Sequence, residues 1–188
     1  MRILGISGSL RKQSFNTALV HAARELAPDG VAIEPFDLAP IPLYNEDVRL
    51  AGYPADVTAF REAIRSADAV LIAMPEYNFS MSGVLKNAID WASRPPDQPC
   101  AGKPVAIMGA SGGPNGTARG QYHLRQVLLG VDMLAVNRPE VFVRNASEKF
   151  DAKGVLTDEQ TRAVVKQLVA ALVTWTQRVR EDVKGGRE

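Results

Sequence analysis

The sequence predicts a doubly wound α/β domain over residues 1–188, with a five-stranded parallel sheet of order 2-1-3-4-5 and helices on both faces. Short apolar segments alternate along the chain with longer segments in which apolar residues recur every three to four positions. Several of the short segments are uninterrupted, which is typical of parallel strands buried on both faces. Right-handed crossovers then join each strand to the next and cover both faces with helices.

The first unit is a strand, a loop and a helix. Residues 3–6 form an apolar strand, and residues 7–14 form a loop of small polar residues. Apolar residues at helical spacing over residues 19–26 then predict a helix, with either Ser14 or Asn16 as its N-cap.

The second strand is expected at an edge of the sheet. Residues 31–36 alternate like a strand, and Pro35 lacks the N–H that an interior strand needs. Residues 37–54 are rich in Pro, Tyr, Asn and Gly, so we expect a long surface loop there. A second amphipathic helix follows around residues 57–64.

Two further apolar runs predict buried strands, at residues 69–74 and 105–108. A polar loop at residues 75–83 follows the first of them and leads into a third helix that starts near Val84. A loop of glycine and small polar residues, 109–116, follows the second. Both loops therefore come where a strand ends.

The remaining chain completes the fold. We expect a fourth helix over residues 118–130 and, after a short apolar piece at 133–136, a fifth strand near 139–143. The last helix begins at a capping box, residues 157–160, with Thr157 as its N-cap residue, and the tail from about residue 184 should fray.

Three small-polar loops should meet at one edge of the sheet, because they follow strands 1, 3 and 4, and carboxyl ends of parallel strands share an edge. The first loop precedes a helix N-terminus, where free N–H groups and the helix dipole favour an anion. Serine and threonine hydroxyls, together with Arg11 and Lys12, add donors and charge. The pattern predicts a ligand with a phosphate at the first loop and a flat polar ring between the other two.

Composition excludes several classes of protein. The net charge is +1, with 22 basic and 21 acidic residues, so we expect no broad electrostatic attraction to nucleic acid or to a membrane surface. No apolar run approaches the length of a membrane helix. The single cysteine, Cys100, is consistent with a reducing, cytoplasmic location, and no spacing of His, Cys and carboxylate residues indicates a metal site.

Other phosphate-binding motifs do not match. The first loop lacks the G-x-G-x-x-G of a dinucleotide-binding fold and the G-x-x-x-x-G-K-[ST] of a Walker loop. A low-molecular-weight phosphatase would place a nucleophilic cysteine in this loop, whereas Cys100 lies far along the chain.

Three motifs carry a family resemblance. Residues 8–16 read Gly-Ser-Leu-Arg-Lys-x-Ser-x-Asn, residues 75–78 read Pro-Glu-Tyr-Asn, and residues 83–91 read Gly-x-Leu-Lys-Asn-Ala-Ile-Asp-Trp. In this order they resemble the NADPH-dependent FMN reductases, in particular the quinone and chromate reductase branch, and the likeness extends over residues 2–143. The resemblance implies a flavodoxin-like fold, FMN as cofactor and NADPH or NADH as co-substrate.

The resemblance also implies roles for single residues. The FMN phosphate would be held by Ser9, Arg11, Ser14, Asn16 and Thr17. The ring and ribityl chain would be lined by Pro75, Glu76, Tyr77 and Asn78, and the far side closed by Ser111 and Gly112.

A homodimer or homotetramer is a further implication of the resemblance. Family members carry an Arg, a Tyr and a Glu near the subunit contact and the mouth of the active site, which here would be Arg119, Tyr122 and Glu140. Relatives often carry a second Tyr where this chain has Phe79, so any contact made by that hydroxyl is missing.

The function implied is an FMN-dependent NAD(P)H oxidoreductase that reduces quinones, or chromate, azo compounds or free flavin, by ping-pong kinetics. FMN would carry the chemistry, so no catalytic side chain is assigned. The alternatives are a flavodoxin-type electron carrier and a regulatory protein that has lost the flavin. Flavodoxins are usually markedly acidic, whereas the net charge here is +1.

Overall fold

The computed structural model describes the backbone of residues 1–185 and the side chains of residues 1–181. Its strands are β1 (Arg2–Ser7), β2 (Ala32–Phe36), β3 (Ala69–Ala73), β4 (Glu76–Tyr77), β5 (Ser80–Met81), β6 (Pro104–Ala110), β7 (Leu134–Ala135) and β8 (Val141–Val143). Its α-helices are α1 (Phe15–Glu25), α2 (Glu46–Ala51), α3 (Ala55–Ser66), α4 (Gly83–Ala92), α5 (Ala118–Gly130) and α6 (Glu159–Gly185).

The main sheet is parallel throughout and has the expected order. Strands β2, β1, β3 and β6 lie side by side, with β2 at one edge. The fifth position is occupied by two short strands, because β7 pairs with Pro104 and Val105 whereas β8 pairs with the other end of β6. The predicted single fifth strand is therefore wrong in detail. Pro139 lies in the gap and has no N–H to continue the ladder.

Helices cover both faces of the sheet. On one face α1 and α6 bury Leu19, Leu168 and Leu172 against the strands. On the other face α3, α4 and α5 bury Phe60 and Leu85 together with Leu124 in a second apolar cluster. Strand β3 is buried along its whole length, as its uninterrupted apolar run predicted.

The loop at residues 37–54 contains an element that the sequence reasoning missed. Helix α2 lies within it, and the Asn45 side chain caps its start by accepting a hydrogen bond from the Asp47 N–H. The Pro42 carbonyl, also in this loop, accepts hydrogen bonds from the side chains of Asn87 and Trp91 of α4, each at 2.8 Å. The loop is thus attached to α4.

The loop at residues 75–83 is a β-hairpin. Glu76 pairs with Met81 and Tyr77 pairs with Ser80 in the antiparallel ladder of β4 and β5. The two turn residues, Asn78 and Phe79, have positive φ angles of 50° and 65°. Two-residue hairpin turns require this conformation and usually carry Asn-Gly, so an Asn-Phe pair did not predict a hairpin.

The last helix starts one residue later than the predicted capping box implies. Asp158, not Thr157, accepts the hydrogen bond from the Thr161 N–H, at 2.9 Å. The hydrogen bond from the Thr161 hydroxyl and, to a smaller extent, that from Lys149 lower the pKa of Asp158 to about 2.

Helix α6 continues through Gly185, and the rest of the tail that we expect to fray lies outside the described residues. None of the described helices is long and apolar enough to span a membrane.

Candidate functional site

The first loop, after β1, is held by hydrogen bonds between its own hydroxyl and amide groups. The Ser7 hydroxyl accepts from the Ser9 N–H at 3.3 Å and from the Thr17 hydroxyl at 2.9 Å. The Ser9 hydroxyl accepts from the Arg11 N–H at 3.4 Å. These contacts place three hydroxyl groups beside the start of α1. Ser7, one of the serines whose hydroxyl was expected at the anion site, joins the two ends of the loop.

Ser14 is the N-cap of α1, which settles the choice between Ser14 and Asn16. Its backbone is extended, and its hydroxyl accepts from the N–H groups of Asn16 and Thr17, at 3.2 and 3.4 Å. Ser14, a predicted phosphate residue, therefore lies at the positive end of the helix dipole.

Asn16, in the first turn of α1, contacts the end of β6. Its side chain is buried, and its Nδ2 donates to the Ala110 carbonyl while its Oδ1 accepts from the Ala110 N–H. The oxygen and one N–H of the amide are used within the protein, and the expected contact of Asn16 with the phosphate stays a prediction. Asn16 joins the first loop to the end of β6.

Arg11 and Lys12 extend from the first loop with exposed side chains. Within the described part of the chain, neither has a carboxylate within ion-pair distance, whereas Arg2, Arg49 and Arg65 all do. A cation that has no internal partner beside a helix N-terminus suits an anionic ligand.

The second loop is joined to the first by Ser82 and Gly8. The Ser82 hydroxyl donates to the Gly8 carbonyl at 2.6 Å, and it accepts from the Leu85 N–H as the N-cap of α4. A Cβ atom at Gly8 would lie 3.1 Å from the Ser82 hydroxyl and 3.2 Å from Pro75 Cδ, so a side chain there would be crowded between the two loops. Ser82 was missed by the sequence reasoning, although a serine three residues before an apolar helical position is a cap signal.

Within the second loop, Glu76 does not present its carboxylate to the cleft. The side chain is largely buried and accepts hydrogen bonds from Arg119 Nε at 2.7 Å and from the Gly120 N–H at 3.0 Å. Only the main chain of Glu76 is available to a ligand. Tyr77 is half exposed, and Asn78 forms the turn beside it.

The third loop, after β6, is open at its centre. The Ser111 N–H donates to the Val143 carbonyl at 3.0 Å, and its hydroxyl accepts from the Gly113 N–H at 3.1 Å. A Cβ atom at Gly112 would meet no atom within 4 Å. The loop thus offers free main chain at Gly112 and a hydroxyl group at Ser111.

The three residues expected at the mouth of the site form two separate groups. Arg119 pairs with Glu76, and its guanidinium lies 3.9 Å from the centre of the Phe79 ring. Glu140 pairs with Arg138 at 2.6 Å, and its carboxylate raises the pKa of the Tyr122 phenol through a hydrogen bond. Arg119 and Glu140 thus have different partners within the chain, and their expected place near a subunit contact stays a prediction.

The structure also excludes a cysteine nucleophile in this cleft. Cys100 is buried before the amino-terminal end of β6, whereas the three loops follow the carboxyl ends of the strands. Burial raises the pKa of its thiol to about 11. Among the described residues, no group of three or more His, Cys, Asp or Glu side chains could hold a metal ion.

A parallel 2-1-3-4-5 sheet, with a loop of hydroxyl groups leading into a helix N-terminus after β1 and two further loops beside it, is typical of the flavodoxin-like, FMN-binding class of proteins. The chain belongs to the NADPH-dependent FMN reductase family, which it matches over residues 1–148. The resemblance inferred from the motifs is thereby confirmed. So are the expected class of enzyme, an oxidoreductase, and the cofactors of that class, FMN and NAD(P)H.

Relatives and solved structures agree with this family. The chain is 56% identical over 180 residues to an NAD(P)H-dependent FMN reductase of Pseudomonas aeruginosa, an alignment that covers 96% of this chain and 97% of the relative. It is 48% identical to an NADPH:quinone oxidoreductase of Arabidopsis thaliana, with 95% and 93% covered. The solved structure of FerB, a flavoenzyme NAD(P)H:(acceptor) oxidoreductase of Paracoccus denitrificans, superposes with a TM-score of 0.86 at 36% identity over 94% of this chain and 97% of that one.

Proposed function

We propose that the protein is an FMN-dependent NAD(P)H oxidoreductase that reduces quinones or similar small acceptors by two electrons in a ping-pong cycle. The observation that carries the proposal is the joining of three ligand-binding loops at one edge of the sheet. Asn16 ties the first loop to β6, and Ser82 ties the second loop to Gly8. Relatives named as quinone reductases, among them one of Escherichia coli at 43% identity over 96% of this chain, support the choice of acceptor.

The residues present fit the phosphate end of FMN. Ser9, Ser14 and Thr17 supply hydroxyl groups around the N-terminus of α1, and Arg11 supplies a positive charge that no carboxylate among the described side chains pairs with. Charge-assisted hydrogen bonds to phosphate oxygens are among the stronger polar interactions in proteins. These four side chains would hold the phosphate, and Asn16 would position them from behind.

The residues of the other two loops fit a flat polar ring. Main-chain groups of residues 76–78 and the Tyr77 ring would line one side, with Pro75 at the end of β3. Ser111 and Gly112 would close the other side, where the structure leaves space for close approach of main chain.

When bound, FMN supplies the two-electron hydride chemistry that amino-acid side chains lack. The protein binds and orients the reactants and leaves one side of the cleft open at Gly112. We assign no catalytic acid, because the cleft is open to water and water can supply the proton. Ping-pong kinetics would follow if NAD(P)H and the acceptor occupy the same open space in turn.

The proposal extends to the finer features that the resemblance implies. Chromate, azo compounds and free flavin are further candidate acceptors, since an open cleft selects weakly among them, and either NADPH or NADH could be the donor. We also propose a cytoplasmic homodimer or homotetramer. Arg119, Tyr122 and Glu140, which match residues near the subunit contact of family members, support this part of the proposal.

Stopped-flow mixing of the FMN-loaded protein with NADPH or NADH, and then with a quinone, tests the proposed function. Rapid, complete two-electron reduction followed by rapid reoxidation is the expected result. Slow hydride transfer with both nucleotides, together with fast electron exchange with a protein partner, would instead support the electron-carrier alternative. A protein that binds no FMN in a fluorescence titration would exclude both functions.

A further inference from the structure

A buried carboxylate joins the β4–β5 hairpin to the first turn of α5. Glu76 accepts hydrogen bonds from Arg119 Nε and from the Gly120 N–H. The hydroxyl of Thr117, the residue before the helix, accepts from Gln121 Nε2 instead of capping the helix. Glu76 therefore provides, from another element, the anion that favours a helix N-terminus.

The burial of Glu76 distinguishes this ion pair from the surface pairs of the chain. Its side chain is 6% exposed, whereas that of Glu62, which pairs with Arg65 on α3, is 61% exposed. Exposed pairs contribute little, but a buried carboxylate is costly unless its hydrogen bonds are kept. The contact between the hairpin and α5 is therefore expected to be persistent.

Two more contacts bring the hairpin against α5. The Ser80 hydroxyl and His123 Nδ1 are hydrogen-bonded at 2.8 Å. A Cβ atom at Gly120 would lie 2.7 Å from Met74 Cε and 3.0 Å from the Ser80 carbonyl oxygen. A side chain at Gly120 would displace Met74 and crowd the Ser80 carbonyl, so the hairpin packs closely on the helix backbone.

The turn of the hairpin has an unfavourable conformation. Asn78 and Phe79 both have left-handed backbone angles, which asparagine tolerates and a bulky aromatic residue rarely adopts. The Arg119 guanidinium lies over the Phe79 ring, 3.9 Å from its centre. Arg119 thus contacts both the buried carboxylate and the strained residue, and we call Glu76, Arg119 and Phe79 the hairpin clamp.

We propose that Glu76 is a positioning residue. Through Arg119, its carboxylate holds the turn at Asn78 and Phe79 in the left-handed conformation, and so orients the main chain of residues 76–78 toward FMN. This inference rests on the proposed function, because it assigns the hairpin main chain to the FMN site. It gives the glutamate of the Pro-Glu-Tyr-Asn motif a role other than direct contact with the ring.

The first experiment measures FMN affinity by fluorescence titration of the apoprotein. Glu76→Gln keeps the shape of the side chain and removes its charge, and we expect the Kd for FMN to rise about tenfold. The matched control is Glu62→Gln, which removes the charge of an exposed pair away from the loops and should leave the Kd unchanged. Equal Kd values for Glu76→Gln and the unmodified protein would overturn the inference.

A double-mutant cycle separates positioning from simple stabilisation. Glycine adopts the left-handed conformation without strain, so in a Phe79→Gly background the turn should no longer depend on the clamp. We expect Glu76→Gln to raise the Kd less than about threefold in that background. A tenfold rise in the Kd for FMN in both backgrounds would show that Glu76 acts independently of the turn, and would overturn the proposal.

The midpoint potential of bound FMN provides a readout that a purely structural role would not move. It should shift in Glu76→Gln and stay at the unmodified value in Glu62→Gln. If Glu76→Gln does not fold, Arg119→Lys serves in its place, since the Arg119 side chain is partly exposed and lysine loses the paired hydrogen bonds. An unshifted potential in the folded variant counts against the inference, whereas failure of the unmodified protein to bind FMN would count against the proposed function itself.

Discussion

Asn16 and Ala110 lie 94 residues apart in the sequence and exchange two hydrogen bonds, from Asn16 Nδ2 to the Ala110 carbonyl at 3.0 Å and from the Ala110 N–H to Asn16 Oδ1 at 2.9 Å. The side-chain amide makes with Ala110 the two hydrogen bonds that a neighbouring strand would make at the end of β6. It thereby joins the loop after β1 to the loop after β6. A site built from separate loops needs such contacts if its parts are to stay in register.

Asn16→Ala should therefore destabilise the fold. The substitution leaves the buried N–H and C=O of Ala110 unpaired, at a cost of about 1–3 kcal/mol for each group. We expect the free energy of unfolding, measured in urea, to fall by about 2 kcal/mol or more. The matched control is Asn137→Ala, at an exposed position, which should change it by less than about 0.5 kcal/mol. An equal decrease in the free energy of unfolding in the two variants would contradict the role assigned to Asn16.

Arg11→Ala should weaken FMN binding with little effect on folding. The guanidinium is exposed and would contribute about 1.5–3 kcal/mol to a charge-assisted contact with phosphate. We expect the Kd from fluorescence titration to rise about tenfold or more, with unchanged far-UV circular dichroism. Arg24→Ala, at the other end of α1, is the control and should bind normally. Unaltered affinity in Arg11→Ala would remove Arg11 from the site.

Asp158 should contribute a pH-dependent part of the stability. Its pKa is about 2 in the folded protein, below the ordinary value of 3.8, because the Thr161 hydroxyl and Lys149 stabilise the carboxylate. A depressed folded pKa gives stability that is present above the unfolded pKa and is lost as pH falls toward the folded one. Asp158→Asn should thus lower stability near neutral pH and flatten its dependence between about pH 4 and pH 2.

Urea unfolding of Asp158→Asn at several pH values checks this expectation. Glu159→Gln, one residue further along α6, is the control, since Asp158 and not Glu159 accepts the hydrogen bond from the Thr161 N–H. The same slope of stability against pH in Asp158→Asn and in the unmodified protein would refute the role of Asp158.

Glu140→Ala tests the proposed subunit contact. Glu140 pairs with Arg138, and its carboxylate raises the pKa of Tyr122, so Glu140→Ala should change the charge and contacts of this part of the surface. We expect sedimentation velocity to show a smaller assembly and turnover to fall, while the pKa of Tyr122 moves down toward its ordinary value. Glu62→Ala on α3 is the control. If sedimentation and turnover are both intact in Glu140→Ala, Glu140 has no part in the assembly.

Much of the architecture could be predicted because it depends on local patterns. Hydrophobic periodicity is a property of neighbouring residues, and it located strands such as β3 and helices such as α5. Short elements were harder to predict. Helix α2 depends on a cap at Asn45. The turn of the β4–β5 hairpin contains Phe79, a residue with no intrinsic preference for a positive φ angle.

The sequence by itself determined the alternation of strands and helices, the meeting of three small-polar loops at one edge, and the motifs that place the chain in its family. Only the tertiary structure decided what the polar side chains of those loops contact. Asn16 turned inward to β6 and Glu76 turned inward to α5, because each satisfies backbone groups that would otherwise be buried unpaired. Those partners lie 94 and 44 residues away in the chain, so no local pattern contains them.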